Sequence, residues 1–319
     1  MAIEPCERRL IEQKIQLNHV LRNSSRRWTS FGRTVPGRRT DAIEEGPVHH
    51  PLARTVAGVS AALPVATLHQ GIPGDEAGWI TCSEVDTSFI RDWERAASER
   101  MIREYGSAHP MTASAYVLGW YGRVPGIIGG LSLALDHRVP RLAASELAFG
   151  CDPLEAYPDR YALLDSRFWC LPDDPDASHP DASVVANDSA LAAILRAQVR
   201  AHADAFLASY RGGARLPRRT LQGVFFDGID IGIWLHDRSP GAEHATIEAA
   251  REVLPGGTAE FRDSTTLYLL DDALGRTHLT RERISCCYYY KIAEQERACL
   301  TCPRTSIDER VQRLAEIEA

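Results

Sequence analysis

The stretch Val117–Leu135, VLGWYGRVPGIIGGLSLAL, is long and apolar enough to be either a membrane span or a buried core helix. It carries Arg123, Pro125 and several glycines. A helix with those interruptions in lipid would need partner helices to satisfy its freed backbone groups and to shelter its charge. We therefore read it as core, with an apolar character that also suits peripheral contact with a membrane face. Its helix is expected to begin near Pro110, since proline is preorganised for a first helical turn. The aromatic group Tyr116, Trp120 and Tyr121 suits core packing.

Working outward, Glu84 to Tyr105 places Val85, Phe89, Trp93, Ala97 and Met101 four apart on one helical stripe, with Gly106 as a stop. On the other side, Arg138 to Leu171 has shorter apolar runs, including RYALLDSRFWCL, that suit strands. The Asp/Pro/Ser run Leu171 to Ser183 reads as a surface loop and a domain boundary. Helices are expected over Ser189 to Tyr210, from Pro217 through Phe225 to Trp234, and over His244 to Val253. Thr265 to Leu270 suits a strand, and Ser306 to Glu309 has capping-box spacing for a terminal helix reaching Glu318.

At the other end, Glu7 to Asn23 suits a helix, and Ser24 to Pro51, rich in Arg, Ser, Gly and Pro, suits a mobile arm. The expected fold is α+β, predominantly helical with a small mixed or antiparallel sheet and a C-terminal cysteine motif. The expected division is an N-terminal helix and arm over 1–60, an N-terminal lobe over 61–182 and a C-terminal lobe over 183–319.

The 319 residues are 44% hydrophobic and 25% charged, which argues against disorder. A net charge of -7 disfavours attraction to phosphate backbones, so nucleic acid is not an expected partner. The opening residues MAIEPCERRLIEQ carry charges where a secretory signal needs an apolar core, and a cytoplasmic location is expected. In that reducing compartment, clustered cysteines point to metal or redox chemistry rather than to disulfides.

Such a cluster exists: Cys286, Cys287, Cys299 and Cys302 form C-C-x11-C-x2-C. Four thiolates suit tetrahedral zinc or the two irons of a 2Fe-2S cluster. Neighbouring side chains diverge on both helix and strand, so Cys286 and Cys287 are poorly placed to chelate one small ion. That favours the wider two-iron group over structural zinc and over inert buried thiols. Cys6, Cys82, Cys151 and Cys170 are scattered singly and suit small core positions. The backbone amides around Leu300, with Ser285 and Thr301, are candidate donors to the cluster sulfurs, although both hydroxyl residues equally suit turns.

The run Arg283-Ile284-Ser285-Cys286-Cys287-Tyr288-Tyr289-Tyr290, followed by Cys299 and Cys302, resembles the C-terminal signature of FhuF-type ferric-siderophore reductases. AHPMTASAYVLGWYGR, Ala108 to Arg123, is similar to a His-Pro and Trp-Tyr region of that family. The resemblance implies a cytoplasmic protein that holds a 2Fe-2S cluster on residues 283–304 and reduces iron(III) bound by hydroxamate siderophores. This chain departs from the family by x11 in place of x10, an excursion assigned to Glu294 to Arg297. LQGVFFD, Leu221 to Asp227, also lacks an expected Trp and Asn.

Tyr288, Tyr289 and Tyr290 suit contact with a chelate, and Arg281 and Arg283 suit an anionic chelate or the charge of the cluster. By resemblance alone, His109, Trp120, Arg123 and His137 form a pocket wall. No G-x-G-x-x-G follows an expected strand, so the electron is expected from an external donor, a ferredoxin or a flavoprotein. An iron-sulfur enzyme acting on an organic substrate in biosynthesis and a zinc-stabilised binding protein are the competing expectations.

Overall fold

The structure, a computed structural model, describes residues 50–64, 66–74, 77–151, 155–236, 241–292 and 298–317. Cys6, the expected helix over 7–23, the arm as far as residue 49, and the excursion over 294–297 lie outside the described residues. Seven α-helices are described: α1 (Leu52–Ala62), α2 (Thr87–Tyr105), α3 (Pro110–Asp136), α4 (Asp188–Ser209), α5 (Arg218–His236), α6 (Glu243–Val253) and α7 (Ile307–Ile317). The fold is α+β and mainly helical, as the sequence leads one to expect.

Helix α2 starts later than the apolar stripe suggests, because the Asp86 carboxylate accepts the Phe89 amide at 2.8 Å and so caps it. Val85 is buried just ahead of the helix. The stop at Gly106 is as expected, in the left-handed conformation with φ 74°.

Val117–Leu135 lies inside α3, which has Pro110 in its first turn and is buried on nearly all sides. Among the described residues, no helix is long and apolar enough to cross a membrane. Glycines explain how α3 is covered so closely. A Cβ on Gly126 would stand 2.6 Å from the Gly228 backbone, and one on Gly130 would stand 2.8 Å from the Ile229 carbonyl. With Gly232 answering Gly130 from the other side, the backbones of α3 and α5 meet with no side chain between them.

Short strands close the rest of the core. Strands β1 (Thr67–Gln70), β5 (Pro158–Leu163), β4 (Leu147–Cys151) and β2 (Trp79–Thr81) form one sheet in that order, parallel between β1 and β5 and antiparallel otherwise. A second sheet has the order β3 (Val139–Pro140), β6 (Phe168–Cys170), β7 (Ala182–Val184). Contacts gather Pro51–Ala319 into one unit, so the Asp/Pro/Ser run falls inside it. That run ends in β7, and Arg138 holds Asp174 at 2.6 Å.

The last pair of strands forms a hairpin, β8 (Leu267–Asp271) with β9 (Thr277–Arg281), in register Leu267 with Arg281 and Asp271 with Thr277. The strand begins two residues later than TTLYLL suggests. Thr265 and Thr266 instead turn their hydroxyls to the buried Asp230 carboxylate on α5. The hairpin is thereby tied to α5 at one end, and β9 leads directly into the cysteine segment.

Candidate metal centre

The chain leaves β9 at Arg281 and runs onto Asp227, one helical turn before Asp230 on α5. The buried Asp227 carboxylate accepts the amides of Ile284 and Ser285, each at 3.0 Å, and the Ser285 hydroxyl. Arg281, only 2% exposed, stands 3.7 Å from the same carboxylate. Burial lowers the guanidinium pKa of Arg281, and the charges of Asp227 and Asp230 oppose that shift. Ser285 therefore anchors the backbone ahead of Cys286 and does not donate to a sulfur, a correction to the sequence expectation.

Directly after the cysteine pair, Tyr288 takes the left-handed conformation, φ 57°. Its carbonyl accepts the Thr112 hydroxyl of α3 at 2.9 Å, and its own hydroxyl bonds Thr220 of α5. The turn aims amides back at the sulfurs. Tyr288 N–H lies 3.4 Å from Cys286 Sγ, and the Tyr289 amide bonds the Cys287 sulfur. A 3₁₀ turn, Tyr289–Lys291, follows.

The other two cysteines sit on a turn in which Cys302 N–H donates to the Cys299 carbonyl at 3.0 Å. Both are buried, whereas Cys286 and Cys287 are half-buried. The turn is held from behind by α7. Arg310, fully buried, donates to the carbonyls of Leu300 at 2.9 Å and Cys302 at 3.1 Å, and Arg313 donates to that of Ala298 at 2.7 Å. Helix α7 is capped by the Ser306 hydroxyl, which accepts the Glu309 amide at 3.1 Å.

These two supports bring the four thiols together. Cys287 Sγ is 3.8 Å from Cys299 Sγ, Cys299 interacts with Cys302, and Cys302 hydrogen-bonds Cys286. The hydrogen bond from Cys302 pulls Cys286 down to about 7, while the same bond holds Cys302 up at about 11. In the other pair, the bond to Cys299, with burial, raises Cys287. Arg283 donates to both Cys287 Sγ, at 3.3 Å, and Cys299 Sγ.

The sulfur arrangement tests the two metal expectations. Four thiolates around one zinc at about 2.3 Å would stand about 3.8 Å apart in every pairing. Here no three of the sulfurs lie within 4.8 Å of one another. An open chain of sulfurs in the order Cys286, Cys302, Cys299, Cys287 fits a group with two metal atoms. A cationic donor and several amides facing those sulfurs suit an anionic cluster.

Other expected residues are spread more widely. Tyr289 packs edge-on against Tyr105, with ring centroids 5.5 Å apart, and Tyr290 lies beneath Arg304 at 4.7 Å. His109 caps α3 by accepting the Met111 amide on Nδ1 at 3.2 Å. Trp120 is buried against Trp93, Tyr116 and Tyr157. His137 ends the same helix and meets Asp188 at 2.8 Å on the surface. At about 1.5 Å per residue, the 27-residue helix sets His109 and His137 roughly 40 Å apart, so they do not share one pocket wall.

Asp227, Thr112 and Arg310 were missed in the sequence. A signal for Asp227 and Asp230 exists: two carboxylates three apart on the apolar stretch VFFDGIDIGIW, where a buried acid needs partners.

Residues 283–304 match the model of the FhuF 2Fe-2S C-terminal domain. No curated protein matches the chain. The match covers all four cysteines and Arg283, and it indicates a 2Fe-2S cluster as cofactor.

Proposed function

We propose that this protein is a one-electron reductase in which Cys286, Cys287, Cys299 and Cys302 hold a 2Fe-2S cluster that reduces iron(III) in a hydroxamate-type siderophore. The observation that carries the reading is the open chain of four sulfurs faced by Arg283, with the Tyr289 amide on the Cys287 sulfur. The cluster, when bound, supplies one electron at a time. Iron(III) is a hard cation gripped by oxygen donors, and iron(II) is held far more weakly, so one electron releases the metal. Asp227, Thr112 and Arg310 position the backbone that carries the sulfurs through hydrogen bonds to Ile284 and Ser285, to Tyr288, and to Leu300 and Cys302.

The electron is assigned to a separate cytoplasmic carrier, a ferredoxin or a flavoprotein. Exposed Lys291 and Arg304, both close to the Tyr290 ring, support docking of an acidic partner or of an anionic chelate.

Mixing the reduced protein anaerobically with a ferric trihydroxamate, with a colorimetric chelator to trap iron(II), tests this reading. One iron(II) per reoxidised cluster is the expected result. No reoxidation across several hydroxamate chelates would contradict it and favour reduction of an organic substrate. One observation motivates that rival: the divergent segment over 221–227 reaches the cysteine segment itself, through Gly223 against Ile284 and through Asp227.

A further inference from the structure

The four sulfurs fall into two halves. In the chain Cys286, Cys302, Cys299, Cys287, each end cysteine is hydrogen-bonded to the nearer middle one, and the adjacent residues Cys286 and Cys287 occupy opposite ends. Two sulfurs of one tetrahedral iron stand close together, whereas sulfurs on different irons are further apart. The only division that keeps each close outer pair intact is Cys286 with Cys302 and Cys287 with Cys299.

Arg283 distinguishes these halves. Its Nη2 donates to Cys287 Sγ and Cys299 Sγ, both members of the same pair. The donors facing the other pair are neutral backbone amides, Tyr288 N–H on Cys286 and Arg304 N–H on Cys302, at 3.4 and 3.5 Å. A charged donor is about twice as strong as a neutral one. In a half-buried site its charge is screened less than at an open surface.

We infer that Cys287 and Cys299 bind one iron and Cys286 and Cys302 the other, and that Arg283 directs the incoming electron to the iron held by Cys287 and Cys299. This rests on the 2Fe-2S reading of the site. The external carrier loses one electron, and one of the two ferric ions becomes ferrous. No bond is made or broken, and no proton moves. The added negative charge spreads onto the sulfurs of the reduced iron, where the guanidinium already stands. Arg283 is thus a positioning residue that acts through the two thiolates.

The test uses the holoprotein reduced with dithionite. In proton NMR spectra, the paramagnetically shifted cysteine methylene signals are assigned through their contacts, with Arg283 for one pair and with Tyr288 and Arg304 for the other. Ferrous-type temperature dependence on Cys287 and Cys299 is expected. The same signature on Cys286 and Cys302, or shared by Cys299 and Cys302, overturns the inference while leaving the cluster and its reductase role intact. A protein with no such cluster fails the underlying reading instead.

Potentiometry of Arg283→Gln and Arg283→Lys supplies a second readout. Arg283→Gln should shift the reduction equilibrium at least tenfold toward the oxidised form, about 59 mV for one electron. Arg283→Lys should fall between that variant and the native protein. An unchanged potential in an Arg283→Gln protein with a full cluster overturns the inference. Should that variant not hold a cluster, the NMR assignment on the native protein decides alone.

Discussion

The carboxylate of Asp227, in the middle of α5, accepts the backbone amide of Ser285 at 3.0 Å, one residue ahead of the cysteine pair. A helix buried against α3 thereby fixes where the metal-binding segment starts. Replacing Asp227 with Ala leaves Arg281 buried without its nearest counter-charge and frees two amides. A loss of about 3–5 kcal/mol is expected, as for other broken buried pairs. Denaturant unfolding measures it, and iron content should fall with it. Asp227→Asn, which retains an acceptor, should lose less on both counts.

Tyr288 carries a left-handed backbone that a residue with a Cβ adopts at a cost of about 1 kcal/mol or more. Tyr288→Gly should therefore keep the visible spectrum of the cluster, offsetting lost side-chain packing with relief of the backbone. Tyr288→Val, β-branched and unsuited to that conformation, should lose most of the chromophore. Equal spectra for the two variants would contradict the role given to this turn.

The contact of Gly126 with the Gly228 backbone leaves no room for a methyl group. Gly126→Ala should drive α3 and α5 apart and destabilise the protein by about 1–3 kcal/mol, the range typical of overpacking. Thermal unfolding reads this directly. Gly119→Ala, on the same helix with 3.7 Å of space to its nearest neighbour, serves as the tolerated control.

His202 is buried with Nδ1 at 2.7 Å from the Leu142 carbonyl and Nε2 at 2.9 Å from the Tyr121 hydroxyl, and burial pushes the imidazole down to about 4. Its unfolded-state value is about 6.5, so the unfolded chain binds the proton more readily between those values. Stability should fall as pH drops from 6.5 toward 4, by about 3 kcal/mol in total from this residue. Denaturant midpoints across that window should show the slope. A His202→Gln variant should be weaker at pH 7 but should lack this part of the slope.

The large features of the fold can be read along the chain because they depend on local chemistry. Pro110 opens α3, Gly106 closes α2, and the four-residue spacing from Phe89 to Met101 marks one buried face. The cysteine group is equally plain, since thiols so close in sequence have few other uses. The supports of that group were not readable, because Asp227, Thr112 and Arg310 meet it only through the tertiary fold. Strands β1 and β2 are four and three residues long, too short for alternation to show. The pairing of Cys287 with Cys299 likewise depends on where β9 and α7 place the two halves of the motif.

Whether the four cysteines around Arg283 hold a two-iron cluster is tested most directly by the visible spectrum of the anaerobically purified protein. The expected result is a red-brown protein with two irons and two inorganic sulfides per chain, whose absorption bleaches on reduction. A colourless protein with one stoichiometric zinc would contradict the account.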